Sequence, residues 1–146
     1  MEKDEVISLL NKALQFEYRD IFLYPREAER LAEIIKEKEI PEQFERFGRM
    51  ELRHADNLAM QIQLLGGKAE WDFAPLIAKE SIEEILLEHQ QNEKKSIQSY
   101  SKILKLIDKE GQEQLKLVLK GIMSEEEGHL LAINRLTSRI HKLIHG

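Results

Sequence analysis

The sequence Glu126-Glu127-Gly128-His129 interrupts the apolar face of a long helix-forming segment near the C-terminus. Residues spaced by three and four share one face of the predicted helix: Leu115, Leu119, Ile122, Glu126, His129, Ile133, Leu136 and Ile140. A carboxylate and an imidazole therefore occupy core positions, where an unpaired charge is costly. We expect Glu126 and His129 to pair with other charged groups or to bind a metal.

The same Glu-x-x-His pattern occurs earlier in the chain, at Glu51 and His54. Two other predicted helices each carry one acidic residue on the apolar face, Glu17 on the first and Glu93 on the third. Each half of the chain thus contains one Glu followed by a Glu-x-x-His, at almost equal separations. This internal repeat predicts two helical hairpins that direct their polar residues toward a shared centre.

Apolar periodicity predicts four helices, over residues 4–38, 41–65 and 81–107 and from about 110 to near the end. Pro25 lies inside the first helix and predicts a kink or a break, because proline lacks the backbone donor. Pro41 is expected at the first position of the second helix and Gly66-Gly67 at its end. Ser81, three residues before Glu84, predicts a capping box at the start of the third helix.

Residues 66–80 form the one long connection, which Trp71 and Phe73 are expected to anchor. Asp108 and Gly111 mark a short turn before the fourth helix. Two short connections and one long one predict an all-α antiparallel four-helix bundle, with the crossover between helices 2 and 3. We expect residues 1–146 to form a single domain.

Composition narrows the possible functions. The chain of 146 residues is 42% hydrophobic and 34% charged and contains no cysteine, which excludes thiolate nucleophiles and cysteine-bound metals. A net charge of −5 argues against a nucleic-acid surface. The acidic N-terminus is unlike a secretory signal, and no apolar run is long enough to span a membrane. We therefore expect a cytoplasmic protein that binds neither nucleic acid nor membranes.

The six polar core residues favour a metal centre. Four carboxylates and two imidazoles buried together would repel one another and retain protons unless cations were bound. Two divalent ions balance four carboxylates, and so do two ferric ions with one bridging oxide. Mixed carboxylate and imidazole ligands favour iron or manganese. The alternative for any single residue is a surface charge or a structural ion pair.

Four segments carry a resemblance to a known family: Leu10-Asn11-x-x-Leu14-x-x-Glu17 continuing to Tyr24, Glu51-x-x-His54-Ala55-Asp56, Glu93-x-x-x-Ile97-x-x-Tyr100 and Glu126-Glu127-Gly128-His129. They resemble the ferritin-like di-iron carboxylate superfamily, and within it bacterioferritin most of all. The resemblance covers nearly the whole chain. It implies a ferritin-like bundle.

The resemblance also implies a ligand set and an activity. In that family the residues matching Glu17, Glu51, His54, Glu93, Glu126 and His129 hold two irons. Glu51 and Glu126 would bridge the irons, and Tyr24 matches a tyrosine that can supply an electron. The family oxidises Fe(II) with O2 or H2O2 and often stores the ferric product in a cage. The expected role is therefore a ferroxidase of iron homeostasis and storage.

Departures from the family pattern change some expectations. Leu52 stands where bacterioferritin has its haem-ligating Met, so we expect no haem. The sequence after His129 suffices only to finish the fourth helix. We therefore expect a homo-oligomer that is either a dimer or a larger assembly such as a cage. His89 is a packed core residue, a partner of a ligand, or a third imidazole at the metals. Gly128 is expected to permit close helix approach beside the metals.

Two other functions remain open from the sequence. A rubrerythrin-like peroxide or oxygen reductase would keep its irons fixed and take electrons from outside. Rubrerythrins usually add a Cys-rich segment and a further Glu, whereas this chain has no Cys and has Ser96 three residues after Glu93. A helical interaction module without enzymatic activity would use the core charges as structural ion pairs.

Overall fold

The four predicted helices are present in the structure, a computed structural model that describes residues 2–72, 75–107 and 112–145. Their bounds are α1 Glu2–Ile34, α2 Glu39–Leu64, α3 Ile82–Leu106 and α4 Glu113–His145. Within the described ranges the secondary structure is helical, without strands. α1 packs most extensively against α2, and α3 against α4, while α1 also contacts α3. The predicted four-helix bundle with one crossover is confirmed.

Pro25 does not break α1. The helix continues through it from Glu2 to Ile34. Of the two predicted effects, a kink or a break, the break is therefore wrong. The proline ring lies against Gly48 of α2, where an added Cβ would be 3.2 Å from the Pro25 Cδ. Packing of this ring on a glycine helps to hold the helix together where one backbone hydrogen bond is missing.

The ends of α2 follow from its sequence. Pro41 is buried in the first turn but is the third helical residue, because the helix already begins at Glu39. Any of these first positions tolerates proline, since their N–H groups have no intrahelical acceptor. At the other end Gly66 has a φ of 88°, and its N–H donates to the Gln63 carbonyl. This left-handed residue ends α2 as predicted.

Ser81 caps α3 as predicted. Its hydroxyl accepts a hydrogen bond from the Glu84 backbone N–H at 3.1 Å and donates to the Glu84 carboxylate at 2.9 Å. The pair satisfies one of the free donors in the first turn. This cap fixes where the crossover ends and where α3 begins.

The crossover between α2 and α3 runs along α1 and is hydrogen-bonded to it. Asn11 donates to the Lys68 carbonyl and accepts from the Glu70 N–H. Gln15 donates to the Glu70 carbonyl and accepts from the Asp72 N–H. Further along, Arg30 donates to the Glu80 carbonyl. The contacts span 19 residues of α1, or about 28 Å at 1.5 Å per residue, so α3 starts beside the end of α1.

Aromatic anchoring of the crossover is seen at Trp71, which stacks on Tyr18 with ring centroids 4.3 Å apart. The predicted anchor Phe73 and the predicted turn residues Asp108 and Gly111 lie outside the described residues. Among the helices that the structure describes, none is long and apolar enough to cross a membrane.

The core consists of two apolar clusters separated by a polar layer. One cluster contains Leu10, Leu14, Leu58, Tyr100 and Leu119, among others, and the second contains Tyr24, Phe44, Phe47, Ile85 and Ile133. Along every helix, the predicted polar residues fall between the last residue of one cluster and the first of the other. The bundle thus encloses its charged groups between two dry layers.

Candidate metal centre

All four helices deliver polar side chains to the layer between the two apolar clusters. Glu17 comes from α1, Glu93 from α3, and each Glu-x-x-His pair from α2 or α4. The carboxylates are fully buried and the two imidazoles are 2% exposed. Residues three apart point the same way on a helix, so each pair enters the layer together. The structure therefore brings together the six residues that the sequence singles out.

Around His54 the side chains form the first of two groups. Its Nδ1 lies 3.0 Å from Glu126 Oε1, 3.1 Å from Glu51 Oε1 and 3.5 Å from Glu17 Oε2. One ligand atom from each of these four residues lies within 4.8 Å of the others. A cation at the middle of this group would be within reach of them all.

Around His129 the side chains form the second group. Its Nδ1 lies 3.5 Å from Glu51 Oε1 and 3.7 Å from both Glu93 Oε1 and Glu126 Oε1. These four residues also offer ligand atoms within 4.8 Å of one another. Glu51 and Glu126 belong to both groups, so the two candidate cation positions share two carboxylates.

Many polar atoms of the layer are buried without a hydrogen-bond partner among the described residues. They include both oxygens of Glu51, both oxygens of Glu126 and both ring nitrogens of His54. The short His54 contacts lack the alignment of hydrogen bonds although their distances would allow them. Native proteins rarely leave so many buried polar atoms unpaired. Carboxylate oxygens and imidazole nitrogens are suitable ligands for iron or manganese, so the donor set fits a metal pair.

The electrostatics of the layer favour cation binding. Burial, followed by the charges of Glu17 and other carboxylates, raises the pKa of Glu51 and of Glu126 well above its usual range. Burial would lower the pKa of His54, but the close, oppositely charged carboxylates of Glu126 and Glu17 raise it to about 10. Without metal, the layer therefore retains protons on its acids and on one imidazole.

Glu93 behaves differently from the shared carboxylates. Burial would raise its pKa, but the close approach of His129 and Glu126 and the hydrogen bond from Tyr24 lower it overall. The Tyr24 hydroxyl donates to Glu93 Oε1 at 2.6 Å. On the other side of the layer, the Tyr100 hydroxyl donates to Glu17 Oε1. Each unshared carboxylate is thus held in orientation by one buried phenol.

The ferritin-like domain family matches residues 7–143, which is most of the chain. The chain belongs to the ferritin-like family. It is 27% identical over 142 residues to bacterioferritin of Desulfovibrio desulfuricans, across 97% of this chain and 79% of that protein. The crystal structure of Desulfovibrio desulfuricans bacterioferritin matches with a TM-score of 0.88 and 26% identity, over 97% and 83% of the two chains. That structure contains a diiron site and was obtained after reduction and reoxidation in solution.

This ferritin-like chain buries two carboxylates that the sequence analysis missed, Asp20 and Glu27. They lie three and ten residues after Glu17, so their helical spacing from Glu17 could have identified them. Burial raises the pKa of Asp20 to about 6, although Arg19, 3.0 Å away, opposes the shift. Among its described residues, α1 therefore contributes three buried carboxylates to the bundle, and not only the predicted Glu17.

His89 lies outside both four-residue groups of this ferritin-like bundle. Its Nε2 is 2.6 Å from Glu27 Oε1, and its ring stacks on Tyr24 at a centroid distance of 4.1 Å. Of the three roles considered from the sequence, the contacts are those of a packed core residue with a charged partner. Its Nδ1 is buried and has no hydrogen-bond partner among the described residues.

Two residues beside the Glu126–His129 pair have different surroundings. Glu125 approaches a ligand candidate, with Oε1 3.6 Å from His54 Nε2. Gly128 does not permit close approach of another helix of this chain, so its predicted role is wrong. Gly128 is exposed, and an added Cβ would meet no heavy atom of the described residues within 4 Å.

Proposed function

We propose that this protein is an iron-binding ferroxidase, which oxidises Fe(II) to Fe(III) with O2 or H2O2 at a di-iron carboxylate centre. The observation that carries the proposal is the pair of overlapping ligand groups with Glu51 and Glu126 in common. Paired ions held by shared carboxylates suit a reaction that removes one electron from each of two neighbouring irons. The family membership and the diiron site of the related bacterioferritin point to the same chemistry.

The six residues are assigned by the group to which each belongs. Glu17 and His54 would bind one iron, and Glu93 and His129 the other. Glu51 and Glu126 would bridge them. When bound, the irons would supply one-electron redox chemistry and open positions for the oxidant. Manganese is the alternative metal for the same donor set.

The protein's own residues would position these ligands and supply protons. Tyr24 holds Glu93 through its hydroxyl, and Tyr100 holds Glu17. Reduction of one H2O2 to two waters requires two electrons, from two Fe(II) ions, and two protons. Reduction of one O2 to two waters requires four of each, so the two Fe(II) ions at the centre would have to be followed by two further Fe(II) ions as substrate. Tyr24 could supply one electron and one proton when fewer Fe(II) ions are present.

The proposed role is intracellular iron homeostasis, with storage of the ferric product in a homo-oligomer, either a dimer or a larger cage. The cytoplasm is the proposed location. A net charge of −5 is compatible with attraction of Fe(II). The residue-level chemistry described above does not depend on the size of the assembly.

Iron retained per subunit tests this proposal most directly. Metal-free protein is loaded anaerobically with increasing Fe(II), exposed to air, desalted and assayed for iron. Retention far beyond two irons, as soluble ferric mineral, would support a ferroxidase that stores iron. Saturation at two, with rapid peroxide turnover by an external reductant, would favour a rubrerythrin-like reductase. Retention of none would favour a structural role for the charges and contradict the proposed function.

A further inference from the structure

A third group of metal-ligating side chains lies outside the candidate centre, where α1 meets α3. Glu27 comes from α1 and Glu88 and His89 from α3, and one ligand atom of each lies within 4.8 Å of the others. Glu27 and His89 are fully buried, and Glu88 is half-buried. We propose that these three residues form a further cation site, which binds a divalent transition-metal ion such as Fe(II) or Zn(II).

The three side chains are of types that bind divalent cations. The two carboxylates can carry two negative charges, which one divalent cation balances, and the imidazole adds a nitrogen ligand. Oxygen and nitrogen ligands in this combination are common for zinc and for ferrous iron. Three protein ligands with one side toward solvent leave positions for water. The residue set is therefore that of an open cation site rather than a closed structural one.

Glu88 shows that the group has a missing partner. The Glu27–His89 contact of 2.6 Å gives each of those two residues a polar partner, but Glu88 Oε1 is buried without a hydrogen-bond partner among the described residues. Burial, followed by the charge of Glu27, raises the pKa of Glu88 to about 7, and His89 and Lys79 oppose this only in part. A bound cation would supply the partner that Glu88 Oε1 lacks.

The geometry requires only a small adjustment. Two ligands at about 2.1 Å from one ion are about 3.0–3.4 Å apart in octahedral or tetrahedral coordination. The 2.6 Å contact between Glu27 and His89 must therefore open by about half an ångström. Glu27 can keep its second contact during this change, because its other oxygen accepts the Lys79 backbone N–H at 2.7 Å.

The site has access to solvent and lies close to the proposed centre. A groove of about 410 Å³ between α1, the crossover and α3 is lined by Glu88 together with Arg19, Leu23, Ile77 and Lys79, among others. On the inner side, the Tyr24 ring covers His89 while its hydroxyl contacts Glu93. A cation at this site would therefore be separated from the centre by one aromatic ring.

Zinc binding tests the site without redox chemistry. Metal-free wild-type protein and the variant Glu88→Gln are equilibrated with Zn(II), assayed for zinc per subunit, and crystallised for anomalous diffraction at the zinc edge. Glu83→Gln is the matched control, since it makes the same change at an exposed position of α3. We expect an anomalous peak between Glu27, Glu88 and His89 in the wild type and in the control. In Glu88→Gln this peak should be absent, and the protein should bind one zinc ion fewer per subunit than the wild type.

The outcomes separate this site from the proposed centre. Two zinc ions at the centre of the wild type, with no peak at Glu88, would overturn the third site and leave the proposed function intact. A peak at Glu88 without zinc at the centre would support the third site and count against the proposed function. If Glu88→Gln fails to fold, the presence or absence of the wild-type peak still settles the question.

Discussion

Glu51 is the residue whose removal most directly tests the shared-carboxylate arrangement. Both of its oxygens are buried without hydrogen-bond partners, and it belongs to both ligand groups. We expect Glu51→Ala to retain at most one iron at the centre and to lose the visible absorption of an iron pair, because each position loses a ligand. Metal analysis and absorption spectroscopy after Fe(II) loading measure both effects.

Glu45→Ala provides the control for that experiment, since it removes an exposed carboxylate from the same helix. It should retain the iron content and the absorption of the wild type. Unchanged di-iron absorption in Glu51→Ala would contradict the assignment of Glu51 as a bridge and would favour the structural ion-pair alternative.

The variant Tyr24→Phe distinguishes a role of Tyr24 in positioning Glu93 from a role in binding iron. The substitution removes the hydroxyl that donates to Glu93 at 2.6 Å but keeps the aromatic packing on His89. We expect the first-turnover rate of Fe(II) oxidation to fall about tenfold, equivalent to ~1.4 kcal/mol in the barrier, while two irons still bind. Stopped-flow absorption measures the rate and metal analysis the binding. A rate equal to that of the wild type would remove Tyr24 from the proposed reaction.

At the scale of the helices, two glycines should respond differently to the same substitution. Gly128 is an exposed position in the interior of α4, and an added Cβ meets nothing within 4 Å. Gly128→Ala should therefore raise the free energy of unfolding by about 1 kcal/mol. At Gly48 the added Cβ lies 3.2 Å from the Pro25 ring, so Gly48→Ala should lose that gain to crowding.

Urea denaturation of the metal-free variants, with wild type measured in parallel, gives both free energies. Metal content should be unchanged in Gly128→Ala, because its side chain would point away from the ligands. A stabilisation of Gly48→Ala equal to that of Gly128→Ala would show that Pro25 can move away from α2 at little cost.

At the scale of the whole molecule, the buried charges make metal-free stability depend on pH. Folding raises the pKa of Glu51 and Glu126 above 4.5 and that of His54 from 6.5 to about 10, so the folded state binds more protons than the unfolded state. Stability from these groups is therefore lost as pH rises through this range. Glu93, whose pKa is lowered, opposes the trend.

We expect the midpoint of thermal unfolding of metal-free protein to decrease from about pH 5 to about pH 9. Zinc-loaded protein should show a weaker decrease, because the bound ions replace the retained protons. Thermal scans at matched ionic strength measure both forms. A midpoint that rises over the same range in metal-free protein would contradict the predicted protonation of the layer.

The fold was largely predictable because its signals are local. The apolar spacing on α1 and α4, the cap at Ser81 and the glycine at Gly66 each act within a few residues. The sequence left a kink and a break open at Pro25, because the surroundings of its ring depend on Gly48, which lies on another helix. The continuity of α1 could not be deduced from α1 alone.

The sequence by itself determined four helices, their order, and the six residues that repeat in its two halves. It did so because helical spacing alone fixes which residues share a face. The family resemblance already implied that Glu51 and Glu126 are shared by the two metal positions. Only the tertiary structure decided that Tyr24 contacts Glu93 and that Glu27 and Glu88 meet at His89. These relations join residues from different helices, so they depend on how the helices pack and on the distances that packing sets.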